Sequence, residues 1–140
     1  MKTYSDLQAT DYGLQVVIEL EAVGSPDIEI SAGKNFYRCK LYKTTIYDFS
    51  LPLLHPFEIK IQLKNKDYFA DHETAVKIKT LQIDGIDLVP RFDYMATYVN
   101  DHNNTDPTSY LGFNGQWTLT FDRPFYQWLH QATAQGWLIS

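Results

Sequence analysis

One cysteine, Cys39, is all the thiol in the 140-residue chain, so no intrachain disulfide can form and no cysteine-based metal site can be built from it alone. The fold must therefore rest on its hydrophobic core. Positive charge is also scarce: 12 Lys and Arg stand against 17 Asp and Glu, a net charge of −5. That balance repels phosphate backbones and argues against nucleic acid as a partner. No apolar run approaches the roughly 18 residues that span a bilayer. The opening Met1-Lys2-Thr3-Tyr4-Ser5-Asp6 lacks the apolar stretch of a secretion signal. Membrane insertion is not expected, and the cellular location stays open, a virion included.

Apolar and aromatic residues are plentiful, at 44% and 15% of the chain. That content suits one packed domain over residues 1–140. Its dominant pattern is alternation. Leu14, Val16, Ile18 and Leu20 share one face of a strand; Phe57, Ile59, Ile61 and Leu63 share a face of another, and so do Trp117, Leu119 and Phe121. Shorter strands are expected around Ile28 and Ile30, around Tyr37, Cys39 and Leu41, around Ile46 and Tyr47, and over Phe92 to Tyr98. Asp84-Gly85 between Ile83 and Ile86 is a two-residue hairpin turn that needs positive φ. Just upstream the inward set steps from Ile78 to Leu81, which places an extra, bulged residue near Lys79 and Thr80.

Near the C-terminus the period changes to that of a helix, with Phe125, Trp128, Leu129 and Ala132 following Pro124. Gly136 is positioned to end a short helix, with Trp137-Leu138-Ile139 returning as an apolar strand or anchor. The expected architecture is all-β: about eight to ten strands in an antiparallel two-sheet β-sandwich, jelly-roll-like, with one short C-terminal helix.

Motifs of catalysis are missing. His55, His72, His102 and His130 have no zinc-hydrolase spacing, and neither a nucleophile elbow nor a Gly-rich phosphate loop occurs. A carboxylate pair acting on sugars is the one enzymatic alternative a sequence leaves open. The expectation is a protein that is not an enzyme.

Two loops are rich in the hard oxygens that calcium prefers: Asn65 to Glu73, and Asn100 to Asp106. Asn and Asp also favour ordinary turns. Residues 57–88, an alternating strand, an Asn/Asp loop and a second strand ending in Ile83-Asp84-Gly85, resemble the corresponding segment of calcium-dependent xylan-binding modules. In that family an Asn-Asp pair follows a strand and another Asp precedes the next; Asn65, Asp67 and Asp71 are the matching positions. Lys66 interrupts the pair, and His72-Glu73 stands where the family usually shows Arg-Asn. The resemblance implies a β-sandwich whose loop-held calcium bonds directly to sugar hydroxyls, with Asn65, Asp67 and Asp71 as metal ligands.

Sugar rings present flat C–H faces that stack on aromatic rings, while their hydroxyls seek amides and carboxylates. Tyr68, Tyr94, Tyr98 and Tyr110 lie in or beside the two loops, with Asn100, Asp101, Asn103 and Asp106 among them. These eight residues form the candidate ligand-binding set. Lys60 and Lys64 alternate on one strand and Lys77 and Lys79 on the next; if the strands are neighbours, like charges face each other or guard an edge. The functional expectation is a non-catalytic recognition or structural protein displayed on a virion or surface assembly. Glycan or other subunits of that assembly are its partners, and an oligomer is expected. The alternative is a purely structural subunit with no glycan ligand.

Overall fold

A computed structural model describes residues 13–52, 56–89, 92, 95–101 and 109–139, the side chains of Pro52 and of 133–139 apart. Within them the alternation becomes strands β1 (Gly13–Val23), β2 (Asp27–Ala32), β3 (Asn35–Lys40), β4 (Thr45–Pro52), β5 (Phe57–Lys64), β6 (Ala75–Ile83), β7 (Ile86–Val89), β8 (Thr97–Asn100), β9 (Tyr110–Leu111) and β10 (Gly115–Phe121), followed by helix α1 (Phe125–Ile139). One sheet runs β4-β1-β6-β7, with β9 also paired to β6; the other runs β3-β2-β5-β10-β8. Every strand pairing among the described residues is antiparallel. This is the two-sheet β-sandwich that the alternation predicts.

The inward residues of β1, β2, β5, β6 and β10 meet between the sheets as one buried cluster. Removing that apolar area from water is the main stabilising term. Local features agree with the sequence. Asp84 and Gly85 both have positive φ, 51° and 79°, as a primed hairpin turn requires. In the β1–β6 ladder Glu19 pairs with Thr80 and Leu20 with Ile78, which leaves Lys79 as the extra residue of the bulge.

Other expectations are corrected. The segment Phe92 to Tyr98 is not a strand throughout: the amide of Phe92 donates to Leu88 O and that of Met95 to Phe92 O, so the chain turns before β8 begins at Thr97. Gly136 does not stop the helix, and residues 137–139 continue it rather than forming a strand. A single glycine costs a helix only about 1 kcal/mol. The lysine pairs are not neighbours, because β5 and β6 belong to different sheets. Nor is β5 an edge, since β2 and β10 flank it. Lys64 instead reaches Glu29 at 2.7 Å, and Arg38 reaches the same oxygen at 2.8 Å. The Lys64 bond, with Arg38 in support and against some burial, holds Glu29 below the usual carboxylate range.

The registers decide which loops meet. Gly115 pairs with both Leu63 and Asn100, Asp27 pairs with Lys64 and Val23 with Ala75. The connections that follow Val23, Lys64, Asn100 and Leu111 therefore leave from the same end of the sandwich. The Asp84-Gly85 and Gly33-Lys34 turns lie at the other.

Candidate functional site

At the loop end, the connection after β5 turns at once, because Asn65 takes a left-handed φ of 58°. Asn and Asp tolerate this conformation better than other non-glycine residues. Asp67 then closes an Asx turn: its Oδ1 accepts the Phe69 amide at 2.9 Å, and its carbonyl accepts that of Ala70 at 3.3 Å. The structure thus uses Asn65 and Asp67 for loop shape. Asp71 is exposed farther along. Among the described residues no three His, Cys, Asp or Glu side chains converge. Of the calcium set that the xylan-module resemblance implies, Asn65 and Asp67 shape the turn and Asp71 lies exposed beyond it.

The loop is fastened to the β9–β10 connection. Lys66 N donates to Asn114 Oδ1 at 2.7 Å and Asn114 Nδ2 returns a bond to Lys66 O at 3.2 Å. The Lys66 ammonium, largely buried, donates to Glu73 and to Gly112 O. It also lies 5.7 Å from the centroid of the Tyr68 ring, within cation–π range. Tyr68 donates its hydroxyl to Asp101 Oδ1 at 2.6 Å and accepts the Asn114 amide at 2.7 Å. Burial and the Asp101 bond together raise its pKa. The Tyr110 ring covers Gly112, where an added Cβ would sit 3.1 Å from Tyr110 Cε1. Tyr110 is raised too, by burial and by the nearby Glu73 charge.

The structure therefore brings Tyr68, Asp101 and Tyr110 together, around a Lys66–Glu73 pair and an Asn114 clasp that composition did not single out. The two tyrosines are 39% and 43% exposed. Tyr98 and Asn100 reach the same end but face inward, 3% and 8% exposed. The Tyr98 hydroxyl clamps the backbone of Phe113, and burial pushes its pKa up to about 12. Tyr98 is therefore a support, and the expectation of a stacking surface there is corrected. Tyr94, Asn103 and Asp106 lie outside the described residues. Lys66, Glu73, Phe113 and Asn114 were legible only as loop residues, since nothing in their spacing announces their mutual contacts.

Glu73 supplies a pH test of the clasp. Its hydrogen bond from Lys66 holds the carboxyl below its ordinary value of 4.5, with slight burial opposing. A depressed folded-state pKa gives a contribution that is present above the ordinary value and lost as pH falls through the folded one. Lys66→Met is expected to return the Glu73 pKa toward 4.5 in a carboxyl NMR titration. An unchanged midpoint would show that the pair does not form in solution.

A cleft of about 590 Å³ lies at the opposite end, lined by Gly33, Lys34, Asn35, Ser50, Leu51, Pro56 and Phe57. Size alone would favour it. Its chemistry among the described residues is poorer: Asn35 Nδ2 is occupied by Ala32 O and Ser50 O, and the Phe57 ring that lines it is buried.

No protein-family model matches the chain, and no curated protein matches its sequence. Among solved structures the chain is similar to one titled "vCBM60 in complex with galactobiose", with a TM-score of 0.53 and 12% identity over 76% of this chain and 97% of that one. At that identity the likeness concerns architecture, and the chain shares the β-sandwich fold of this carbohydrate-binding module.

Proposed function

We propose that the chain is a non-catalytic β-sandwich module that binds glycan at its loop end. The observation that carries this reading is the pairing of two half-exposed tyrosine rings, Tyr68 and Tyr110, with the carboxylates of Asp101 and Glu73 and the Lys66 ammonium between loops braced by Asn114. Rings of this kind bury the C–H face of a sugar, and carboxylates accept hydrogen bonds from its hydroxyls. The fold shared with a galactobiose-bound module supports the reading by analogy. Fixed loops reduce the ordering cost of binding.

Calorimetric titration with galactobiose and xylo-oligosaccharides, with and without EDTA, tests it. Binding is expected in both conditions, and Tyr110→Ala is expected to weaken it roughly two- to tenfold, the worth of one aromatic contact. No binding to either sugar or to a wider glycan array would overturn the reading. A second reading, a subunit of a virion or surface assembly, is favoured by the exposed Phe36, Tyr37, Tyr42 and Ile46 on and between edge strands β3 and β4. A chain that stays monomeric at high concentration, with no co-purifying partner, would overturn that one.

A further inference from the structure

Phe69, at the tip of the loop after β5, is 97% exposed. A phenyl ring in water gains free energy only by being covered, and it has no polar atom with which to hydrogen-bond solvent. Scattered apolar residues on a surface need no explanation by themselves. The surroundings of this one are more specific. The Asx turn of Asp67 fixes the Phe69 amide at 2.9 Å, and the residues on either side of the turn are tied down through Lys66, Glu73 and Asn114. The adjacent Tyr68 turns its hydroxyl inward to Asp101 and Asn114, so the turn separates an anchoring ring from a presented one. The ring is thus displayed on a braced loop, one residue beyond Tyr68 of the site.

Charge around it defines what it can take. Asp67, Asp71 and Glu73 are exposed on the same loop, whose one lysine is engaged by Glu73 and Gly112. Carboxylates accept hydrogen bonds from hydroxyls but repel uronates, sialates and sulfates. We infer that Phe69 is the outer stacking platform of this site and that its ligand is a neutral glycan, one pyranose ring lying with its C–H face on the exposed phenyl. This inference rests on the glycan-binding reading above and adds a residue and a ligand class to it.

The experiment compares the intact wild-type chain with Phe69→Ala and Phe69→Trp, titrated with galactobiose, xylo-oligosaccharides and an oligogalacturonate. Because the side chain is almost fully exposed, both variants are expected to keep the wild-type unfolding midpoint. Phe69→Ala is expected to lose roughly two- to tenfold in affinity for the neutral sugars, the range of one aromatic stack. Phe69→Trp should retain or exceed wild-type affinity, and the oligogalacturonate should not bind. Equal affinity in Phe69→Ala, or an oligogalacturonate bound as tightly as the neutral sugars, would overturn the inference while leaving the glycan reading in place. A wild-type chain that binds none of these sugars, nor any on a wider array, would overturn both.

Discussion

Replacing Phe121 by Ala is expected to lower the free energy of unfolding by about 3–5 kcal/mol, the range for truncating a buried aromatic ring. Phe121 ends β10, almost fully buried, with the Phe57 ring stacked at 4.6 Å and the Trp128 ring edge-on at 4.6 Å. Phe125 joins at 5.8 Å, and Phe92 meets Trp128 at 5.5 Å. One side chain therefore links β5, β10 and α1. Its removal leaves a cavity that three neighbouring rings on one strand and a helix cannot all close, because their backbones are held elsewhere. Denaturant unfolding followed by far-UV circular dichroism measures the loss, and Phe121→Leu should cost clearly less because it conserves more volume. A loss below 1 kcal/mol for the alanine variant would show that the helix is anchored by other contacts.

Gly115→Ala is expected to damage fold and site together. An added Cβ at Gly115 would lie 2.4 Å from Val99 O, 2.6 Å from Asn100 Cα and 2.7 Å from Asn100 Cβ. The first two are backbone atoms, so no rotamer change relieves the clash and β8 must move from β10. Overpacking of this kind costs about 1–3 kcal/mol. Functionally the shift falls on the site, because Asp101 follows β8 directly and its amide donates to Asn114 O at 3.1 Å. Glycan affinity is expected to fall at least tenfold, more than for the loss of Tyr110 alone. Calorimetry and denaturant unfolding read the two effects separately. A Gly115→Ala chain with wild-type stability and affinity would show that β8 is free to yield without disturbing the loops.

Features set by neighbours in sequence were legible in advance. Period-two alternation, the Asp84-Gly85 turn and the bulge at Lys79 each depend on a few adjacent residues, and the structure has them where the pattern places them. Strand β8 shows where local reading fails. Hydropathy alone would turn Val99 inward and leave Asn100 in water. The ladder with β10 sets Tyr98 opposite the buried Trp117 and Val99 opposite Gln116. Val99 is therefore 60% exposed while Tyr98 and Asn100 are buried. Register reverses the side-chain preference, since a shift of one residue would move every side chain of the strand to the other face. The same logic separates Lys60 and Lys64 from Lys77 and Lys79, because consecutive strands β5 and β6 cross from one sheet to the other.

The candidate site divides along the same line. Residue order alone puts Tyr68, Asp101 and Tyr110 in or beside polar loops, alternates the chain toward a sandwich, and shows no familiar catalytic spacing. Contacts between distant segments set the Lys66 ammonium against the Tyr68 ring and bonded to Glu73, let Asn114 fasten the loop after β5, turn Tyr98 inward as a support, and leave Phe69 in solvent. Strand character follows from the order of residues along the chain. A binding surface follows from which strand ends share one side of the sandwich, and that depends on pairings between residues far apart in sequence.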